Sequence, residues 1–201
     1  MKKKILFLSL LITLQSCQIA HVKKDYGIYS KSLVFSKNKK WLINTIKTGV
    51  ESHHRDMMYK EVMQLFQNLS DGNAYDLKTA KAENIIQNSI PFEPEMEDLE
   101  TLKNSTDFNY LINIYTMKVN NGLDRAAGEL YEYKKNETFA MMDIYDIKTM
   151  KKIYSLKAYS ELSVDKGEKV NIFTPTTEMM TMKNFRSLLK SVKKNAVKIE
   201  E

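Results

Sequence analysis

Apolar and polar positions along the chain fall into three successive rhythms. Leu33-Val34-Phe35 and Trp41-Leu42-Ile43-Asn44-Thr45-Ile46 are short β-branched and apolar runs bounded by Lys- and Asn-rich turns, which predicts the opening strands. The period then lengthens. Met58, Val62, Leu65, Phe66 and Leu69 step by four, three, one and three, one face of a helix over about 50–70 that Asp71-Gly72-Asn73 stops. Ala74 to Leu77 reads as a short strand, residues 79–92 stay unassigned, and Pro91-Phe92-Glu93-Pro94 holds the backbone extended or turned. A helix to about Lys103 follows, its first turns carrying Glu95, Glu97, Asp98 and Glu100.

The rhythm shortens again in the second half. Tyr110 to Val119 is a strand apolar on both faces at its start, which places it centrally. Gly122 to Gly128 reads as a loop and Leu130-Tyr131-Glu132-Tyr133 as a further strand. Thr138–Ile147 and Lys152–Val164 make a hairpin turning through Asp146 to Met150. Finally Thr174-Pro175 opens a helix, with Thr174 as cap and Pro175 in the first turn, and Met182, Phe185, Leu189, Val192 and Ala196 form its apolar stripe. The expected fold class is α/β (α+β): a central mixed sheet of about five strands with helices packed on it, including a carboxyl-terminal amphipathic helix.

The first seventeen residues follow none of these rhythms. Lys2-Lys3-Lys4 precede an apolar stretch from Ile5 to Leu14, broken only by Ser9 and Thr13, and Ser16 stands directly before Cys17, the only cysteine. The apolar run is about half the roughly 20 residues a membrane-spanning helix needs. Charge, length and order are those of a cleaved secretory signal. The expected division is a signal peptide over 1–16, a tether over 17–30 and one α/β domain over 31–201.

Composition matters mainly through that division. Loss of residues 1–16 removes three lysines and no acid, so the formal charge of +6 falls to +3, and the pI of 9.1 overstates how basic the mature chain is. Nucleic acid is therefore not an expected partner. A single cysteine closes no intramolecular disulfide, so burial alone holds the domain.

Leu14-Gln15-Ser16-Cys17 resembles the lipobox of bacterial lipoproteins, although Gln15 is an uncommon residue there. The resemblance implies diacylglycerylation of the Cys17 thiol, cleavage before it, acylation of the new amino terminus and two-chain anchoring in a bilayer. Gln18 and Ile19 lack the aspartate of inner-membrane retention, so it also implies an outer-membrane, periplasm-facing location. Lys23, Lys24, Lys31, Lys37, Lys39 and Lys40 lie close behind and would sit near headgroups, or simply in a solvated linker.

Phe139 to Ser155 is similar to the hairpin of a periplasmic lipoprotein fold group: the curli-secretion channel lipoprotein, the penicillin-binding-protein activator lipoprotein and the amino-terminal domain of TolB. Asp146, Thr149, Ile153, Tyr154 and Ser155 match its outline, and Met150 replaces its turn glycine. This resemblance implies scaffolding and partner binding rather than catalysis. No pair of long insertions with lipid-facing alternation is evident, so a pore is not expected.

Candidate chemistry is sparse. His53, His54 and Asp56 cluster at a helix start, but neighbouring helical residues point about 100° apart and the HExxH spacing is missing, so no metal site is expected. Glu93, Glu95, Glu97, Asp98 and Glu100 could suggest a paired-carboxylate hydrolase, yet the helix dipole already explains acids there. Gly-x-Ser-x-Gly and glycine-rich phosphate loops are absent. No cofactor and no catalytic residue are expected. Asn-x-Ser/Thr triplets at Asn68, Asn104 and Asn136 read as coincidences. Tyr131, Tyr133, Tyr145 and Tyr154 are the candidate partner surface, with Tyr159 nearby, although sheet packing claims most such rings.

Three functions compete at this stage. The first is a non-enzymatic, lipid-anchored accessory protein that binds an envelope protein partner. The second is a small-ligand or lipid-binding lipoprotein, which requires a cavity of about 300 Å³ or more. The third is an envelope hydrolase, which requires two acids near Glu93 to Glu100 to converge.

Overall fold

A computed structural model of the chain describes residues 21–26, 33–87, 89–124, 134–164 and 174–199. The elements in order are β1 (His21–Tyr26), β2 (Leu33–Phe35), β3 (Trp41–Ile43), α1 (Ser52–Leu69), β4 (Ala74–Asp76), α2 (Leu77–Ala82), α3 (Met96–Ser105), β5 (Tyr110–Asn121), β6 (Lys134–Asp146), β7 (Lys151–Val164), α4 (Thr177–Asn195) and β8 (Ala196–Lys198). They build a six-stranded mixed sheet in the order β1-β7-β6-β5-β3-β4, with β2 and β8 pairing separately. This is the α+β class read from the pattern, and β5 is central as its two apolar faces require.

The sheet has two different halves. β3, β4 and β5 run parallel, while β5, β6, β7 and β1 pair antiparallel. Side chains alternate between faces along each strand, so one strand feeds two cores. Ile112 and Ile114 of β5 and Ala140, Met142 and Ile144 of β6 face α1 and α4, meeting Met58, Val62, Phe66, Phe185 and Leu188. Leu42, Leu111 and Tyr145 face the other way, against Leu77 and Ala80 of α2 and Leu99 and Leu102 of α3. Trp41, fully buried, stacks on Phe35 at 4.4 Å and packs against the tilted ring of Tyr110 at 4.2 Å.

α4 is fixed on the sheet by a polar seam rather than by apolar contact alone. Asn184 is fully buried; its Nδ2 donates to the Thr138 carbonyl and Oγ1 at 3.1 and 2.9 Å, and its Oδ1 accepts from Ser160 Oγ at 2.6 Å. At the start of the helix, Asp124 accepts from the Thr177 N–H and from Asn136 Nδ2, both at 2.8 Å. Asn136 is fully buried in this knot, so the triplet it opens is not a surface acceptor.

Several expectations shift. α4 begins at Thr177 with Thr176 as its cap, accepting from the Met179 N–H at 3.2 Å. Thr174 and Pro175 stay outside, because the Pro175 carbonyl is taken by Asn136. Ala196 leaves the helical stripe: its backbone is extended and it opens β8 against β2. The strand starting at Trp41 ends at Ile43, since Asn44 turns its side chain into the structure. His21–Tyr26, within the expected tether, instead pairs with β7 from Glu161 to Leu156. Of the stretch 79–92, residues 79–82 complete α2 and the other described residues, 83–87 and 89–92, lie outside helix and strand. The strand read at 130–133 lies outside the described residues. α1 ends as expected, with Asp71 and Gly72 at positive φ and the Gly72 N–H donating to the Gln67 carbonyl at 2.9 Å.

Candidate functional site

In open sheets containing parallel strands, ligands favour the crevice beyond the carboxyl ends of the strands where successive connections diverge. Here the chain leaves β3 over one face through α1 to β4, and reaches β5 after α2 and α3 on the other. The diverging point lies between β3 and β5. It is filled by the protein itself. Asn44, the residue after β3, donates from Nδ2 to Asn113 Oδ1 at 2.9 Å and to the Ile90 carbonyl at 3.1 Å. Asn113 of β5 donates to the Phe92 carbonyl at 2.5 Å. Both asparagines are buried, and together they pin the segment 90–92 across the crevice.

Beyond that plug the same face of the sheet is uncovered among the described residues. Odd-numbered residues of β5 show the progression: Leu111 lies under α2 and α3, Asn113 under the plug, Tyr115 half-buried at the plug's edge beside Phe92, and Met117 and Val119 under nothing described. Met117 and Val119 are 42% and 45% exposed. Tyr115 packs edge-on against Phe139 at 5.5 Å and near Phe92 at 5.4 Å. Two cations cover these rings, Lys157 Nζ at 4.4 Å from the Phe139 centroid and Lys47 Nζ at 5.4 Å from Tyr115. Between them lies a shallow groove of about 590 Å³. Further along, Tyr159 donates to Glu137 at 2.8 Å and sits 2.6 Å from Glu161. Burial and these two carboxylates push its phenol far upward. The Glu137 carboxyl is held below its usual range by Lys135 and then by Tyr159.

A second concavity of about 740 Å³ opens between α1 and α2, beyond the ends of β3 and β4. Its floor is Tyr59, Met63 and Leu77, and its rim carries Arg55, Lys60, Lys78 and Lys81. Tyr59 is fixed there by accepting from the Ile46 N–H at 2.7 Å.

The histidine cluster resolves into a helix-end contact. Glu178, in the first turn of α4, accepts from the Glu51 N–H at 2.8 Å and lies 2.9 Å from His54 Nδ1, with Lys118 Nζ 3.9 Å away. Glu51, His54 and Glu178 bring their ligand-type atoms within 4.8 Å of one another. Two helix amino termini and Lys118 already bias this point toward an anion, and Glu178 supplies it. Burial works to raise the Glu178 carboxyl, but Glu51, Lys118 and His54 outweigh it and hold it low. His53 is exposed beside His54. The acids at 93–100 do not converge. Glu93, Glu95, Glu97 and Glu100 are exposed, and Asp98 accepts from the Glu95 N–H at 2.9 Å in a capping box.

Of the tyrosines expected to face a partner, Tyr154 is fully buried against α1 and α4, and Tyr145 is 6% exposed. A register irregularity between Ile144 and Tyr145 accompanies the turn of Tyr145 onto the α2–α3 side, where burial pushes its phenol upward and Lys152 lies 5.4 Å from its ring. Neither offers a surface. Tyr131, Tyr133 and Cys17 lie outside the described residues. The residues that do form an open surface, Tyr115, Met117 and Phe139, were hidden by their apolar character. An asparagine at the middle of an apolar strand, Asn113, was the available signal for the plug.

No family model matches the chain, and no curated protein matches it. The chain is similar to a number of solved structures, among them the following three. A PelC dodecamer from Paraburkholderia phytofirmans is 7% identical, with 89% of this chain and 99% of that chain covered and a TM-score of 0.46. A homologue of the neuraminyllactose-binding hemagglutinin from Helicobacter pylori is 10% identical, covering 85% and 89%, with a TM-score of 0.39. Lipoprotein GNA1162 from Neisseria meningitidis is 12% identical, covering 78% and 96%, with a TM-score of 0.37. At such identities and scores none of them passes a function, a substrate or an assembly to this chain.

Proposed function

We propose that the protein is a lipid-anchored accessory protein of the bacterial cell envelope, held at the periplasmic side of the outer membrane through Cys17, without enzymatic activity. One observation carries this reading: the run from Lys2 through the apolar Ile5–Leu14 to Leu14-Gln15-Ser16-Cys17. The described chain agrees with it sterically. Only three residues separate Cys17 from His21, the first residue of β1, so an anchor there holds the sheet within four residue steps, about 14 Å, of its attachment point. Partner binding then falls to the sheet face left uncovered among the described residues around Tyr115, Met117 and Phe139, whose aromatic rings and methionine are residue types favoured at interface cores. The resemblance of the hairpin from Phe139 to Ser155 to that of the curli-secretion, penicillin-binding-protein activator and TolB group supports the same reading.

Mass spectrometry of the native amino-terminal peptide tests the anchor. A diacylated peptide beginning at Cys17 is expected, and an unmodified peptide beginning at Met1 sinks the reading. A photo-crosslinking residue at Met117 then tests the surface: a discrete envelope-protein adduct is expected, and it should weaken when Phe139 is replaced by Ser.

A second reading, a lipoprotein that binds a small ligand or lipid, is favoured by the 740 Å³ concavity between α1 and α2, which exceeds the roughly 300 Å³ such a site requires.

A further inference from the structure

We infer that the concavity between α1 and α2 is a binding site for an anionic amphiphile, a molecule with one phosphate-like or carboxylate headgroup and an alkyl chain. The inference rests on the ligand-binding reading and adds the chemistry of the ligand; the anchor at Cys17 is not needed for it.

Three observations converge. The first is charge without partners. Arg55, Lys60, Lys78 and Lys81 lie on the rim, and among the described residues none of the four forms an ion pair, although seven such pairs occur elsewhere. Two acids also line the space. Asp76 caps α2, accepting from the Thr79 N–H at 2.9 Å and the Thr79 hydroxyl at 2.6 Å, so its carboxylate is turned to the helix end while keeping its charge. Four cations therefore face two carboxylates, Asp56 and Asp76, and an excess of positive charge remains. Like charges gathered around one concavity repel each other, and an anion bound among them relieves that repulsion.

The second observation is the floor. Tyr59, Met63 and Leu77 form an apolar base between the charged rims. Leu77 is 5% exposed and continuous with the core on the α2–α3 side, and Met63 packs against the core on the α1 side. An inorganic anion would satisfy the rim and leave this base wet. A headgroup carrying an alkyl chain satisfies both, and methionine is suited to irregular apolar surfaces. The volume of about 740 Å³ accommodates a chain of moderate length.

The third is location. The site lies beyond the carboxyl ends of two parallel strands, with Thr45 following β3 and Asp76 closing β4. The neighbouring crevice between β3 and β5, which topology would favour, is closed by Ile90 to Phe92. The open space is therefore displaced one strand toward the β4 edge.

The test uses the full chain carrying Cys17→Ser, which removes the thiol available for acylation, and isothermal titration with three probes. They are decyl phosphate, decyl maltoside and inorganic phosphate, each below its aggregation threshold. Decyl phosphate should bind about tenfold or more tightly than either other probe, and its affinity should fall as salt rises. The double variant Lys78→Gln, Lys81→Gln should weaken decyl phosphate about tenfold while leaving decyl maltoside unchanged. Circular dichroism melting confirms that this variant is folded, and both lysines sit on a surface helix. Equal binding of decyl maltoside overturns the charge assignment and leaves ligand binding standing. Equal binding of inorganic phosphate overturns the amphiphile. Decyl phosphate affinity indifferent to the double variant places its site elsewhere and overturns the proposal. No binding by any probe removes both the proposal and the ligand-binding reading.

Discussion

The two concavities at the carboxyl ends of the parallel strands lie one strand apart and are built oppositely. Between β3 and β5, polar side chains point inward and every one named there has a partner: Asn44 on Asn113 and Ile90, Asn113 on Phe92. Over β3 and β4, polar side chains point outward and the four cations of the rim have none among the described residues. Buried amides are costly unless hydrogen-bonded, so the first site can only be structural once the loop is pinned across it. Exposed cations repel one another only weakly while solvated, so the second can stay open at little penalty to the fold. The same backbone position serves stability in one case and remains free for a ligand in the other.

The comparison breaks most sharply at Asn113. Asn113→Leu would leave the Phe92 carbonyl and the Asn44 amide without their partner, and unfolding in urea should show a loss of about 3 kcal/mol. An unchanged midpoint would mean that the plug is not held by these bonds. Asn184→Ala, in the polar seam under α4, offers a reference away from both concavities. It orphans Thr138 and Ser160 and should cost about 2 kcal/mol.

Acid should act on the helix start rather than on the plug. Glu178 has its folded carboxyl held below the usual glutamate range, so its contribution is complete above the unfolded value and is lost as pH falls through the lowered folded value. Melting temperature should therefore decline below about pH 4.5, and Glu178→Gln should flatten that part of the profile. A smaller effect is expected at Met150, which sits at φ 55° in the hairpin turn where glycine is at ease. Met150→Gly relieves left-handed strain but gives up partial packing against the α2–α3 core, and a net gain below about 1 kcal/mol is expected. Smallest of all, Lys78→Gln with Lys81→Gln should shift stability by no more than about 0.5 kcal/mol, because neither forms an ion pair. A large loss there would erase the contrast between the two sites.

What could be read from residues alone follows from how strong a period each element carries. α1 and α4 have long apolar stripes, and β5 to β7 are 12, 13 and 14 residues long with apolar runs or alternation over most of that length, so their existence and order were legible. α2, six residues long, is too short to show a helical period. β1 reads His-Val-Lys-Lys-Asp-Tyr, and an edge strand held by backbone pairing need not alternate. β8 was masked because Ala196 continues the stripe of α4 by spacing although the backbone has already turned extended. The tyrosines went astray for a local reason. Tyr154 falls on the face that α1 and α4 cover, and Tyr145 lies beyond a break in register that spacing alone cannot place. The groove between α1 and α2 draws residues from two helices and two strand ends, and no contiguous stretch announces it.

The pairing of β1 has a mechanical side. For a chain held at Cys17, nine residues lead to Tyr26, and free of the sheet they would form a leash of about 30 Å. Zipped onto β7, the same stretch would leave less than half of that slack, and the six residues of β1 would act as a clip that sets how far the body can stand from such an attachment point.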